Sequence, residues 1–156
     1  MLRHAIAAMA AVLMLATADP AAAQRARAGT LTCDVSAGIG FIVGSRKAVF
    51  CNFMPDLPGP PQAYEGAFTR VGLDVGVTGG GVMVWLVFTS TSNPGPGFLS
   101  GDYVGASGEA TVAAGLGANV LIGGSGQTVA LQPVSVSGQV GINFAVGVGD
   151  LNLRPR

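Results

Sequence analysis

The sequence predicts an all-β domain, folded as a single glycine-rich antiparallel barrel or closed sandwich of about eight strands. Apolar residues alternate with small or polar residues along several stretches, and this period of two is typical of strands with one buried face. Glycine accounts for 25 of the 156 residues and interrupts or separates these stretches. Helical periodicity is absent beyond the N-terminal segment, so we expect no helices in the folded domain.

The N-terminal residues have the pattern of a cleaved secretory signal peptide. A short basic start precedes an apolar run over residues 5–16, and three alanines then provide a cleavage site. The apolar run is shorter than the roughly 20 residues that a membrane-spanning helix needs. We therefore expect residues 1–23 to be removed and residues 24–156 to form one domain in the periplasm.

Three short strands are expected next, over residues 30–35, 40–43 and 48–53. The only two cysteines, Cys33 and Cys51, lie on the first and the third of these strands. Because an exported chain meets an oxidising compartment, we expect the two cysteines to form a disulfide. Two free thiols, or half of a metal site, are the alternatives.

The stretch GLDVGVTGGGVMVW, residues 72–85, predicts a β-hairpin that turns at residues 78–81 and continues to residue 88. Its glycines are expected to shape a sheet and not to hold a phosphate, because a second strand pattern follows where a nucleotide-binding loop would open a helix. One parity of the second strand is wholly apolar and is expected to form the main core face: Val82, Val84, Leu86 and Phe88.

Trp85 and Met83 lie on the other parity of that strand. In the expected hairpin, Asp74 pairs with Trp85 across the two strands. The indole then either covers the hairpin glycines or contributes to a ligand-facing surface. Asp74, Met83 and Trp85 are therefore the candidate surface or ligand contacts.

Two longer alternating runs, over residues 104–122 and 134–148, exceed the ordinary length of a strand. Their apolar parities begin at Val104 and Val134. We expect bends or bulges at Gly115–Gly117, Gly138 and Gly149, and a bulge near Asp150, where the apolar parity changes.

Residue types exclude several chemistries. The only histidine, His4, lies in the expected leader, so the mature chain has no imidazole for acid–base catalysis or for the usual zinc sites. The only lysine, Lys47, belongs to no phosphate-binding motif. The formal net charge is zero, without the basic face that binds nucleic acid. No spacing singles out a catalytic pair of carboxylates. We expect no enzymatic activity, cofactor, metal, nucleotide or nucleic-acid partner.

Five blocks of the sequence together resemble domain-of-unknown-function family 992, a family of exported alphaproteobacterial proteins: GTLTCDV, GFIVGS, GLDVGVTGGGVMVW, GDYVGASGEATVAAGLGANVLIGGS and ALQPVSVSGQVGINFAVGVGDLNL. The resemblance covers residues 29–153. It implies export and, because the family has no assigned activity, it implies no site.

Four blocks, GFIVG, VGLDVG, GASGEATVAAG and SVSGQVGINFAVGVG, are also similar in order to the SYLF lipid-binding domain. That likeness implies a related fold and a lipid partner. The amphipathic helix that precedes the sheet in the SYLF family has only residues 24–28 as a counterpart here.

Three functions remain open at this point. The first is a non-enzymatic periplasmic protein that binds a ligand or an envelope protein, or supports envelope structure. The second is binding to lipid or to a membrane surface through an exposed apolar patch. The third is a small outer-membrane β-barrel, whose strands also alternate apolar and small residues. The sequence does not specify the ligand, the partner or the oligomeric state.

Overall fold

A computed structural model describes residues 25–40, 44–71, 76–78, 80–105, 120–136 and 148–156. The strands of this part of the chain are β1 (Ala26–Val35), β2 (Gly38–Gly40), β3 (Gly44–Pro55), β4 (Gln62–Val71), β5 (Gly76–Thr78), β6 (Gly81–Thr89), β7 (Gly101–Gly105), β8 (Leu121–Gly123), β9 (Val129–Val136) and β10 (Val148–Pro155). A short 3₁₀ turn, Ser125–Gln127, lies between β8 and β9. Within these ranges the chain forms no helix that could cross a membrane.

Eight of the described strands close into an antiparallel barrel in the order β1-β3-β4-β10-β7-β8-β9-β6, with β6 pairing back onto β1. Strands β2 and β5 form a separate two-stranded sheet. The predicted all-β class is thus confirmed, and the architecture is the barrel and not the sandwich. Closure leaves no open edge among the eight strands, which protects them from pairing with other chains.

The barrel interior is the hydrophobic core. In β1, Leu31, Cys33 and Val35 are buried, whereas Thr32 and Asp34 between them are exposed. The inward-facing side chains of all eight barrel strands join in one buried cluster. Burying a large apolar side chain stabilises the fold by roughly 1.5 to 3 kcal/mol, so this shared interior is the main source of stability.

The predicted hairpin over residues 72–88 is wrong for the part of it that the structure describes. Strand β5 pairs with β2, with Gly38 opposite Thr78. Strand β6 pairs instead with β1 on one side and with β9 on the other. A strand has only two hydrogen-bonding edges, and both edges of β6 are occupied.

The predicted core face of β6 is also wrong. Met83, Trp85 and Val87 point into the barrel, and Thr89 continues this parity. The opposite parity faces outwards and is exposed or half-buried: Val82, Val84, Leu86 and Phe88. The reason lies in the register, because Trp85 is opposite Leu31 and Met83 is opposite Cys33. Residues directly opposite each other in a sheet share a face, so the inward parity of β1 fixes that of β6.

The same error occurs at the start of both downstream runs. Tyr103 is buried, while its neighbour Val104 is 50% exposed. Val134 is 52% exposed. In the pairing of β6 with β9, the register passes from Ser135 directly to Pro133, so Val134 is the extra residue of a bulge. The bulge expected near Asp150 is absent from the described strand, because the register of β10 with β4 runs without a shift from Val148 to Pro155.

Glycine allows neighbouring strands to approach closely at three barrel positions, one of which is Gly29 in β1, where a Cβ atom would meet the backbone oxygen of Met54 in β3. A Cβ atom at Gly66 in β4 would meet the backbone of Asn152 in β10, and one at Gly123 in β8 would meet the backbone of Asp102 in β7. Glycine in these strands therefore serves sheet geometry, which is the structural role expected of it. Of the hairpin glycines, Gly72 and Gly79 lie outside the described residues, and so do the predicted bends within 106–119 and 137–147.

Candidate functional site

A disulfide joins β1 to β3 inside the barrel. Cys33 lies directly opposite Cys51 in the pairing of the two strands, with a Cα–Cα distance of 4.0 Å. Both residues are buried. The predicted disulfide is confirmed, and the alternative of two free thiols is wrong. The two sulfurs are used in this bond, and the described residues contain no cluster of three or more side chains of the kinds that ligate metals.

The disulfide is the centre of a row of inward-facing side chains. Met83 lies beside Cys33 on the β6 side, and Tyr64 lies beside Cys51 on the β4 side. Met83 is only 2% exposed and Trp85 only 1% exposed. Neither side chain can therefore serve as a contact on the outer surface, because both lie in the barrel interior. Asp74, the third candidate contact, lies outside the described residues.

One end of the barrel is covered by the segment of residues 90–100 and its neighbours; we call it the closed end. The Tyr103 hydroxyl donates a hydrogen bond to the backbone oxygen of Leu99 at 2.8 Å. The ring of Phe98 packs edge-to-face against Phe53, with ring centroids 5.3 Å apart. Leu99 is fully buried by this arrangement. The contacts seat the segment as an apolar plug.

A second set of hydrogen bonds fixes the same plug. The Tyr64 hydroxyl donates to Gln62 Oε1 at 2.6 Å, and the backbone N–H of Gly97 donates to the same oxygen at 3.1 Å. Burial raises the pKa of the Tyr64 phenol above its ordinary value. Burial, together with the nearby Tyr64, raises the pKa of the Tyr103 phenol further. Both hydroxyls therefore act as neutral hydrogen-bond donors.

Lys47 is the residue that the sequence reasoning missed. It lies on β3 near the opposite end of the barrel, three positions from the start of the strand at Gly44. Its side chain is only 5% exposed and belongs to the inward parity, with Val49 and Cys51. A usable signal was present in the sequence: the lone lysine shares its parity with a cysteine that was expected to be bridged.

The surroundings of Lys47 in the barrel wall are apolar. Phe68 lies opposite Lys47 on β4, and Leu151 lies opposite Phe68 on β10. All three side chains are buried. The arrangement therefore places a lysine side chain among apolar neighbours on the inner face of the barrel.

The described carboxylates are all on the outside of the barrel. Glu65 pairs with Arg154 at 3.0 Å, and Asp56 pairs with Arg27 at 2.9 Å. Asp102 accepts a hydrogen bond from the Asn152 amide at 2.6 Å. The remaining two are exposed, on β1 and β10: Asp34 and Asp150. Within the described ranges, no carboxylate shares the inner face with the lysine.

The outer surface carries an apolar face across β6, β9, β8 and β7, which we call the outer apolar face. Along the outward parity, Phe88 lies beside Ala130, Ala130 beside Ile122, and Ile122 beside Val104. Of these four residues only Val104 is exposed, Phe88 and Ile122 are half-buried, and Ala130 is fully buried. Further members lie on β6 and β9: Val82, Val84, Leu86 and Val134. Asp34 lies opposite Val82, and Asp150 lies opposite Val104, so a carboxylate lies beside the face on each flanking strand.

Comparison with known protein families gives a result for nearly the whole chain. The model of the family described as "Protein of unknown function (DUF992)" matches residues 11–154. The chain belongs to the DUF992 family. No curated protein and no solved structure matches it. The resemblance to family 992 is thereby confirmed, whereas the likeness to the SYLF domain gains no support. For this DUF992 protein, function has to be argued from its own barrel.

Proposed function

We propose that this DUF992 protein is an exported, non-enzymatic binding module that acts in the periplasm. The observation that carries the proposal is the buried Cys33–Cys51 disulfide between β1 and β3. Disulfides of this kind persist in oxidising compartments and are rare in the reducing cytosol. The disulfide agrees with the leader pattern over residues 1–23, which is typical of a secretory signal peptide.

A binding role without catalysis is supported by how the reactive side chains are used. The two cysteine sulfurs form a disulfide. Glu65, Asp56 and Asp102 make surface pairs with arginines or an amide, so each serves strand-to-strand or strand-to-loop contacts. Glycoside hydrolysis needs two carboxylates at a shared site, and these three belong to separate surface pairs.

A barrel surrounded by water is favoured over an outer-membrane barrel. Transmembrane barrels have a polar interior and an apolar outer band. Here the interior holds Leu31, Trp85 and Leu131, while Thr32 and Asn52 face outwards. An apolar interior of this kind supports a barrel surrounded by water, and hence the periplasm over the outer membrane as the location.

The export part of the proposal is tested by expressing the full chain with its own leader in an alphaproteobacterial host. We expect osmotic shock to release a protein whose intact mass corresponds to residues 24–156 with one disulfide. A chain without residues 1–23 is the control and should stay in the cytoplasm with both thiols reduced. Retention of the leader, or a protein that stays with outer membranes after a carbonate wash, would contradict the proposal.

The binding part is tested by native mass spectrometry of the released protein. A bound small molecule should add mass under native conditions and disappear on denaturation, while a protein partner should appear as a larger complex. The same envelope extract is passed over immobilised protein and over an unrelated disulfide-containing barrel as the control. A bare monomer mass together with no specific capture would leave the binding role without support.

Association with a membrane surface is a second candidate, favoured by the outer apolar face. Two points weigh against it. Exposed valines such as Val104 and Val134 are common singly on soluble proteins. The flanking carboxylates Asp34 and Asp150 would also be repelled by anionic lipid.

Flotation with zwitterionic vesicles tests membrane association, with Val84→Asn as the variant on the outer apolar face. Trp85 cannot report such contact directly, because its indole lies inside the barrel.

A further inference from the structure

The methionines of the chain are divided between the inside and the outside of the barrel. The sequence contains five methionines, and three of them lie in the leader pattern over residues 1–23. The other two are Met54 on β3 and Met83 on β6. Met54 is 57% exposed, whereas Met83 is 2% exposed. Once the leader is removed, Met54 therefore carries the one thioether sulfur that lies at the surface.

The other sulfur atoms of the domain lie in the barrel interior. Met83 is opposite Cys33 in the pairing of β6 with β1, and Cys33 is bonded to Cys51. None of these three side chains is more than 2% exposed. Oxidation of a sulfur by a dissolved reagent depends on its exposure. Such a reagent therefore reaches Met83 only when the barrel opens.

Met54 is exposed while the chain around it is fixed in place. Its side chain shares the outward parity of β3 with Phe50, which is 46% exposed, and Leu57 in the following loop is 73% exposed. The backbone N–H of Asp56 donates a hydrogen bond to the backbone oxygen of Ala28 at 2.9 Å, which ties the end of β3 to β1. The exposure of Met54 thus belongs to the folded barrel and requires no opening.

We infer that Met54 is a site of reversible sulfoxidation by peroxides, whereas Met83 is protected by the fold. The thioether sulfur attacks one oxygen of hydrogen peroxide, so that an S–O bond forms as the O–O bond breaks. The sulfur loses two electrons, and the second peroxide oxygen leaves as water. Methionine sulfoxide reductases reverse the step. They oxidise two thiols to a disulfide, and the sulfoxide oxygen leaves as water.

Sulfoxidation changes the surface around Met54 and leaves the core unchanged. A thioether is apolar, whereas a sulfoxide is polar and accepts hydrogen bonds. Because the Met54 side chain points away from the core, the added oxygen stays in contact with water. A polar group then stands among the exposed apolar side chains of Phe50 and Leu57, and reduction removes it. This inference does not depend on the proposed binding function.

The test exposes the purified mature chain, with its disulfide intact, to hydrogen peroxide and follows each methionine by proteolysis and mass spectrometry. In the wild type we expect one added oxygen on Met54, formed at least about tenfold faster than on Met83. Met54→Leu keeps an apolar side chain of similar size and should lose this rapid uptake of oxygen. Met83→Leu is the matched control and should react as the wild type does. In concentrated urea, both methionines of the wild type should react at similar rates, because the fold no longer separates them.

Reversal and stability complete the test. Reductases specific for each of the two sulfoxide epimers, supplied with a thiol, should together restore Met54 in the folded chain. The urea midpoint of the chain oxidised at Met54 should lie within about 0.3 M of the untreated value, because the modified side chain is on the surface. Equal oxidation rates for Met54 and Met83 in the folded chain would overturn the inference. A larger fall in the midpoint, or a sulfoxide that the reductases leave unchanged, would also overturn it.

Discussion

The contribution of the disulfide can be worked out from its position. Cys33 and Cys51 are separated by 18 residues along the chain. In the chain-entropy model, closing a loop of that length removes about 11 cal/mol/K from the unfolded ensemble, which is about 3 kcal/mol at 25 °C. The two cysteines are already direct neighbours in the pairing of β1 with β3, so the effect acts mainly on the unfolded chain. Breaking the bond should therefore leave the barrel folded but less stable.

Urea unfolding of the mature protein, followed by the fluorescence of Trp85, measures this loss. With a slope of about 2 kcal/mol/M, reduction of the wild type should lower the urea midpoint by about 1.5 M. The double variant C33A/C51A should lose slightly more, because it also removes two buried sulfurs beside Met83 and Tyr64. Reductant should leave the midpoint of this variant unchanged, which controls for effects of the reductant itself. A fall of less than about 0.5 M in the reduced wild type would refute the loop-entropy reasoning.

Three further predictions concern the close packing at Gly66, the buried face of β6, and the dependence of stability on pH. Gly66→Ala should lower the free energy of unfolding by about 1 to 3 kcal/mol, because the new Cβ atom collides with the backbone of the next strand. Gly95→Ala should change the free energy of unfolding by less than about 0.5 kcal/mol, because the space around Gly95 is open. Chemical denaturation of both variants checks this prediction. Met83→Ser should cost about 2 to 5 kcal/mol and Val82→Ser less than about 1 kcal/mol, and the reverse order in thermal melts would mean that the inward face of β6 is misassigned. Burial raises the pKa of the Tyr103 phenol above its value of about 10 in the unfolded chain. The buried phenol therefore contributes fully to stability below about pH 10, and this contribution is lost as the pH rises further. Urea midpoints measured between about pH 8 and pH 11 should fall more steeply for the wild type than for Tyr103→Phe.

Much of the fold follows from local pattern alone. Alternation over 30–35 and 48–53 located the central parts of β1 and β3, and the two lone cysteines on those segments identified the disulfide. The absence of helical periodicity and the spacing of the strands gave the all-β class and a count of about eight barrel strands. These features depend on near neighbours in the chain, which a single sequence contains in full.

Which face of a strand is buried was decided only by tertiary structure. Strand β6 is apolar on both parities, so a period of two could not tell the side of Val84 from the side of Trp85. The register with β1 decides, because Trp85 lies opposite the buried Leu31. The same holds for β5, whose partner β2 is distant in the sequence, and for the bulge at Val134. Strand partners and registers are long-range choices made by the closing of the whole barrel.

The candidate site shows the same division. The sequence by itself determined that the mature chain has no histidine and a single lysine, Lys47. It did not determine that this lysine lies on the inner face, opposite Phe68, whereas the described carboxylates lie on the outer face. A charged residue in an alternating strand is ordinarily assigned to the solvent side, since burying its charge is costly. The closure of β3 between β1 and β4, with Cys51 held inwards by its disulfide, fixes the parity that turns Lys47 into the barrel.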